Sequence, residues 1–337
     1  MNIAVLFGGT SEEREVSIAS ASKVVRALRD KGHNVTAIDS ATGRLTSAQD
    51  RELTALSGVR EQPTESSLLS LRSRSNAIAF GNTMGEFDVV FIALHGGSGE
   101  DGHVQALLEL LGVPFTGSSS VSSGLAMDKD ISKRLAEQGG VRTPSWLMNE
   151  THFPTVAASL GLPVIVKPNT QGSSVGLQIV REEKGFSSAI VNAARYGEVM
   201  IETYVSGREF TVSVLDDTPL PVGEIITDNG RLFDYESKYQ AAGATEVFPA
   251  QISADLAAEL QAAALKIHHL FKLDGYSRSD FLVDDEGVVW FMEVNTLPGL
   301  TSQSLLPKAL EPAGITFGDF CDRIVELALL KAGGLGR

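Results

Sequence analysis

Ser277-Arg278-Ser279-Asp280-Phe281-Leu282-Val283 and Val288-Val289-Trp290-Phe291-Met292-Glu293-Val294-Asn295, separated by Asp284 to Gly287, read as two β-strands joined by a short turn. Side chains alternate between the faces of a strand, so Arg278 and Asp280 share a face, as do Glu293 and Asn295. If the turn pairs Val283 with Val288, Arg278 falls opposite Glu293 and all four polar groups lie together. A three-residue loop would break that register. Two carboxylates and an amide oxygen converging on one face are hard oxygen donors of the kind Mg2+ prefers, with nucleotide phosphates and water completing its shell. A solvated sheet face, or a structural Arg-Glu pair, is the plain alternative for such a hairpin.

Upstream, Val164-Ile165-Val166-Lys167-Pro168 runs toward Gly172-Ser173-Ser174-Val175-Gly176 and a further β run. Glycines let backbone N–H groups approach a polyphosphate, serine hydroxyls add donors, and a strand lysine supplies charge. An ordinary glycine hairpin with a surface lysine is the competing explanation. No G-x-x-x-x-G-K-[ST] occurs, so this is not a Walker loop. The same residues satisfy G-x-S-x-G with Ser174 as nucleophile, but a hydrolase elbow needs a helix after it, whereas Leu177 to Val180 continues as strand.

At the other end, Ile3 to Phe7 is a short β run that ends in Gly8-Gly9-Thr10. Ile18, Ala21, Val24, Val25 and Leu28 follow at helical spacing, Gly32 stops that helix, and Val35 to Ile38 reads as the next strand. Val89 to Leu94 is another buried strand, running into His95-Gly96-Gly97. The pattern predicts a parallel sheet with its active loops at the strand ends. Thr10 and Glu13 fit a capping box; a carboxylate at that rim is also placed to hold a substrate ammonium group.

Between these ends, Arg44 to Asn82 reads as a surface excursion with some helix, and a helix is predicted around Met127 to Glu137, ended by Thr143-Pro144. Strands are predicted over Val199 to Glu202, Glu209 to Leu215 and Pro221 to Ile226, with a helix over Asp255 to Phe271. His268 and His269 lie on that helix without a partner at metal-ligand spacing and are expected at the surface, and no zinc motif is present. Asp234 to Tyr239 before the small residues Ala241 to Ala244 suits a mobile flap. Leu297-Pro298-Gly299 and Ser302 to Leu305 offer N–H groups and hydroxyls for a carboxylate or oxyanion.

A length of 337 residues suggests two or three domains. No run approaches the roughly 18 apolar residues of a membrane helix, so no membrane partner is expected. The opening stretch has no basic region before a long apolar one, and Cys321 is the single cysteine, which excludes an internal disulfide and agrees with a cytoplasmic location. A net charge of -14 argues against nucleic-acid binding and favours small-molecule partners.

Eight stretches occur together and in order: GGTSEEREVS (Gly8 to Ser17), ALHGGSGEDG (Ala93 to Gly102), MDK (Met127 to Lys129), PVIVKP (Pro163 to Pro168), GSSVG (Gly172 to Gly176), YESKY (Tyr235 to Tyr239), SRSD (Ser277 to Asp280) and EVNTLPGLTSQSL (Glu293 to Leu305). Together they resemble the D-alanine–D-alanine ligase family. The resemblance implies an ATP-grasp fold, of mixed α/β and α+β class, with an N-terminal Rossmann-like parallel-sheet domain over 1–118, a central ATP-grasp subdomain over 119–206 and a C-terminal one over 207–337. It implies ATP-dependent joining of two D-alanines through an acyl phosphate, for peptidoglycan precursor synthesis, by a homodimer.

Residue by residue, it implies that Lys129 and Lys167 contact ATP phosphates, with Ser173 and Ser174 in the covering loop, and that Glu202 and Glu209 hold adenine and ribose. Asp280, Glu293 and Asn295 would bind two Mg2+ ions, replaceable by Mn2+. Glu13 would hold the ammonium of the first D-alanine, with His95 nearby. Ser304 and Leu305, helped by Lys238, would hold the carboxylate of the second. Arg278 and the Gly299 N–H would stabilise the oxyanion, and Glu13, Ser173 and Tyr239 would carry the proton. Lys238-Tyr239 favours an amine nucleophile over a hydroxy acid. Ala106 and Ser279 depart from the family's usual residues, and Arg44 to Asn82 has no clear counterpart. Another carboxylate-amine ligase of the same fold, with a different amino acid or hydroxy acid, remains the alternative.

Overall fold

The computed structural model describes residues 1–56, 58–59, 63–74, 84–227 and 245–334. The chain begins with β1 (Asn2–Phe7), α1 (Arg14–Asp30) and β2 (Asn34–Asp39), then β3 (Gly43–Arg44), α2 (Ser47–Thr54), α3 (Glu65–Arg74) and β4 (Val89–Ile92). These strands form a sheet of order β3-β2-β1-β4, in which β1 is parallel to both β2 and β4. The expected β-α-β unit is present. Helix α1 buries Val16, Ala21, Val24, Val25 and Leu28 against the sheet and ends before Gly32, which has a φ of +84° that an L side chain rarely adopts.

Next come α4 (His103–Leu110), α5 (Ser120–Met127) and α6 (Lys129–Gln138). The predicted helix around Met127 to Glu137 is thus two helices, broken at Asp128. The Asp128 carboxylate accepts the Ile131 N–H at 3.0 Å and caps α6, while the serine-rich stretch itself forms α5, with Ser119 as its cap. Helix α6 ends at Gln138, ahead of Thr143-Pro144, because Gly139-Gly140 follows and Gly140 is left-handed.

A second sheet, entirely antiparallel, contains β5 (Trp146–Met148), β6 (Val164–Pro168), β7 (Gln178–Val180) and β8 (Val199–Thr203) in the order β5-β8-β6-β7, with helices α7 (Phe153–Leu160) and α8 (Glu183–Ala193) between its strands in the chain. The third sheet holds β9 (Gly207–Leu215), β10 (Thr218–Pro219), β11 (Gly223–Ile226), β12 (Thr245–Val247), β13 (Tyr276–Asp284) and β14 (Val289–Asn295), with helix α9 (Ala254–Leu270) between β12 and β13 in the chain. Helices α10 (Leu305–Leu310) and α11 (Phe317–Gly334) close the described chain.

The hairpin of β13 and β14 forms, in a different register from the one expected. Val283 pairs with Val289, not Val288, and Phe281 pairs with Phe291; a bulge then leaves Met292 over, so that Asp280 pairs with Glu293 and Arg278 with Asn295. The bulge decides which side Glu293 occupies. In a regular strand Phe291 and Glu293 would share a face; here Phe291 is fully buried in the core, while Glu293 and Asn295 line a cavity with Arg278. The two one-residue shifts cancel in parity, which preserves the predicted shared face while replacing the Arg278-Glu293 pairing.

The hydrophobic cores join distant parts of the chain. Phe320, Cys321, Ile324 and Val325 of α11 pack into the first core with Ile3, Val5, Val24 and Phe91, joined by Tyr276 and Leu297. Ala126 and Ala136, from α5 and α6, belong with Phe210, Phe281, Phe291, Leu260 and Ile267 over the third sheet. A separate core of Val164, Val166, Phe186, Ala189 and Ile201 serves the second sheet. His268, expected at the surface, is 2% exposed: its turn of α9 faces β13, and its Nδ1 lies 2.8 Å from the Ser277 hydroxyl. His269 is exposed, 3.0 Å from Asp217.

Candidate active site

Two neighbouring cavities share a wall. The larger, about 440 Å3, opens between the second and third sheets and is lined by Lys129, Lys167, Ser174, Glu202, Glu209, Asp280 and Glu293. The smaller, about 60 Å3, is lined by Glu13, His95, Ser173, Arg278, Glu293, Asn295, Gly299, Ser304 and Leu305. Glu293 borders both. Every candidate from the sequence is therefore at one of the two cavities except Lys238 and Tyr239, which lie outside the described residues together with the rest of the Asp234 to Tyr239 segment.

The loop after β6 joins the two. Ser173 and Ser174 hold φ values of +50° and +57°, an uncommon conformation for residues with a Cβ, in a turn tied by Val175 N–H to Gly172 carbonyl (3.1 Å) and Leu177 N–H to Ser174 carbonyl (3.2 Å). β7 follows this turn, so the helix that a hydrolase elbow needs is absent here. From the loop, the Ser173 hydroxyl donates to the Glu13 carboxylate at 2.5 Å.

Glu13 stands at the N-cap position of α1 but makes no side-chain cap bond, so the capping-box reading fails. Its carboxylate is turned to Ser173 and lies over Gly96, where a Cβ would come within 2.7 Å of Oε2; any larger residue at 96 would displace it.

His95 is 4% exposed, with Nδ1 3.0 Å from the Leu297 carbonyl and Nε2 2.9 Å from the Ser20 hydroxyl. A carbonyl can only accept, so in the neutral ring Nδ1 carries the proton and Nε2 accepts from Ser20, whose oxygen takes the Leu300 N–H at 3.2 Å. Ser20 and His95 thereby fasten the loop bearing Gly299 to the first sheet. Sequence reasoning missed Ser20, although its place four positions before Val24, on the apolar inner face of the helix, gave a signal.

On the shared wall, the Asp280 carboxylate accepts from Arg278 Nε (2.9 Å) and a terminal guanidinium nitrogen (2.7 Å), from Thr211 Oγ1 (2.7 Å) and from Asn295 Nδ2 (3.3 Å). Its lone pairs are well supplied by these donors. Glu293 lies 3.4 Å from the Lys129 ammonium, which also donates to the Gln171 carbonyl at 2.7 Å. The two carboxylates and the amide oxygen fit a hard divalent cation such as Mg2+ in donor chemistry. Arg278 lines the smaller cavity while its guanidinium is held on Asp280. Beside it, Ser279 is fully buried and its hydroxyl has no hydrogen-bond partner among the described residues.

In the larger cavity, Glu202 is 1% exposed and each of its oxygens takes one lysine, Oε1 from Lys167 and Oε2 from Lys133, both at 2.5 Å. Burial alone would raise the Glu202 carboxyl, but the charges and hydrogen bonds of Lys133 and Lys167 override it and hold it at about 2. Burial pulls the Lys133 ammonium down to about 8, with Glu202 opposing. Lys133 escaped sequence reasoning. It lies four residues after Lys129, on the same buried face of α6 as Ser132 and Ala136, and that helical spacing was the available signal. Asn169 was also missed: its Oδ1 accepts the Asp130 N–H and its Nδ2 donates to Asp128, both at 2.9 Å, clamping the start of α6, and so Lys129, to the strand of Lys167.

Comparison with known proteins agrees along the whole chain. The family described as D-ala D-ala ligase N-terminus matches residues 2–118, and that described as D-ala D-ala ligase C-terminus matches residues 135–326. A D-alanine–D-alanine ligase of Synechococcus sp. (strain JA-2-3B'a(2-13)) is 38% identical over 98% of this chain and 94% of its own. The crystal structure of the D-alanine–D-alanine ligase from Bacillus anthracis complexed with ATP is 33% identical, with a TM-score of 0.77 over 100% of this chain and 99% of that one. The VanG D-Ala:D-Ser ligase of Enterococcus faecalis is 29% identical, with a TM-score of 0.81 over 97% of this chain and 99% of its own.

Proposed function

The chain belongs to the D-alanine–D-alanine ligase family, and from that we propose that it joins two D-alanines into D-alanyl-D-alanine with ATP, through a D-alanyl phosphate, for peptidoglycan precursor synthesis. The observation that carries this reading is the shared wall: Glu293 borders both a cavity large enough for a nucleotide and a small one lined by groups suited to an amino acid. Such a layout brings a terminal phosphate next to a carboxylate.

In the first step a carboxylate oxygen of one D-alanine attacks the γ-phosphorus, the bond to the bridging oxygen breaks, and ADP leaves. Lys129 and Lys167 offset the repulsion between the anions, Glu209 with Glu202 holds the nucleoside, and the loop carrying Ser173 and Ser174 covers the phosphates. Glu13 holds the ammonium group of this D-alanine, with His95 shaping the wall behind it. Asp280, Glu293 and Asn295 would hold the Mg2+ ions, two in number and replaceable by Mn2+, which when bound supply positive charge against the phosphates.

In the second step the amine of the other D-alanine attacks the acyl carbon and inorganic phosphate leaves. Ser304, Leu305 and Lys238 hold the carboxylate of the attacking molecule. Arg278 and the Gly299 N–H face the oxyanion, and the amine proton leaves through Tyr239, Ser173 and Glu13. The Ser173-Glu13 bond at 2.5 Å supports the last link of that route. No described helix is long and apolar enough to cross a membrane. We place the enzyme in the cytoplasm as a homodimer.

The test is incubation with ATP, Mg2+ and D-alanine, following ADP and the dipeptide by mass, with D-serine and D-lactate offered as second substrates. D-alanine alone should give one ADP per dipeptide. ADP release that stays at background with D-alanine and rises with another acid would refute the assignment.

A further inference from the structure

We propose that Lys133 is a positioning residue for the nucleotide site, keeping the Glu202 carboxylate paired while Lys167 leaves it for the phosphates. The proposal rests on reading the larger cavity as the nucleotide site and Lys167 as a phosphate contact.

Glu202 and Lys167 line that cavity; Lys133 does not, and it is 0% exposed. Lys133 is held on the far side of the carboxylate, its ammonium 5.1 Å from the centre of the Trp146 ring, on a helix whose start is clamped by Asn169. It therefore has nowhere to go. Lys167, at the cavity wall, is the partner that an arriving phosphate would draw away from Glu202 Oε1. With Lys167 as sole partner, that move would strand a carboxylate that is 1% exposed, an arrangement proteins strongly disfavour. With Lys133 fixed on Oε2, Glu202 keeps a charged donor throughout, and Lys167 is released for the loss of one bond of two.

Isothermal titration of the intact protein with ATP and Mg2+ tests this in the wild type, Lys133→Met, Glu202→Gln and the double variant. Lys133→Met should weaken ATP binding by roughly tenfold or more, raising the KM for ATP with little change in kcat. In the Glu202→Gln background, where no buried carboxylate remains to be stranded when Lys167 moves, Lys133→Met should change affinity by less than about twofold. A purely structural lysine would lower Tm in both backgrounds and leave affinity alone. The proposal is overturned if Lys133→Met binds ATP as the wild type does, or if it loses the same factor in both backgrounds. Should Lys133→Met not fold, the double variant, which buries a neutral pair, is compared with Glu202→Gln: equal affinity supports the proposal, weaker binding overturns it. Wild-type protein that does not bind ATP would instead sink the nucleotide-site reading itself.

Discussion

Arg278 holds Nε and one terminal nitrogen on Asp280 and also forms part of the wall of the smaller cavity, where the proposed oxyanion role would place it. Replacing it with Ala should lower kcat by roughly 10²- to 10³-fold, as loss of an oxyanion donor does, and steady-state turnover within a factor of two of wild type would contradict that role. Glu202 makes a prediction about stability. Its folded carboxyl lies at about 2 against an ordinary 4.5, so its contribution is complete above 4.5 and is lost as pH falls toward 2. The Tm difference between wild type and Glu202→Gln should therefore narrow across that window, and a difference that stays constant from pH 4.5 to 2 would contradict it. Site residues in dense motifs, such as Glu13, His95 and Asp280, were legible because chemistry and spacing coincide in the sequence. Lys133, Ser20 and Asn169 were not, because each acts on a residue distant in the chain and their partners appear only once helices and strands are docked.

At the scale of elements, the strands of the β13–β14 hairpin were readable from their alternation, while their register was not. A bulge at Met292 leaves no mark on a two-residue period except that Phe291 and Glu293, of opposite character, stand two apart. The same limit hid the break between α5 and α6: Asp128 caps the second helix, and a cap inside a continuous helical pattern is easily read through. The clamp at this point has a consequence. Asn169→Ala removes two hydrogen bonds that register α6 against β6, and should destabilise the protein by about 1–2 kcal/mol while raising the KM for ATP, because Lys129 and Lys167 lose their fixed spacing. Thermal melts together with ATP titrations of velocity check this; a lowered Tm with an unchanged KM would show that the clamp serves stability alone.

At the scale of the molecule, the first sheet, parallel except for its edge strand β3, and the antiparallel later ones follow the predicted order along the chain, but the way the chain's end returns could not be read from local pattern. Helix α11 gives its apolar face to the first core, where Phe320 is fully buried edge-on to Tyr276 of β13, with ring centres 5.5 Å apart. Through α11 that contact couples the strand bearing Arg278 to the first sheet, whose β1–α1 connection carries Glu13. Phe320→Ala should cost about 3–5 kcal/mol, read by chemical denaturation, and a loss below about 1 kcal/mol would mean that α11 is not part of that core. Under the proposed function all of this architecture serves one event, the transfer of a phosphoryl group onto an amino-acid carboxylate. The most direct test uses D-alanine labelled with ¹⁸O in its carboxylate, with ATP and Mg2+, and mass analysis of the phosphate released. One labelled oxygen should pass into inorganic phosphate for each dipeptide formed; dipeptide accompanied by unlabelled phosphate would contradict the acyl-phosphate route.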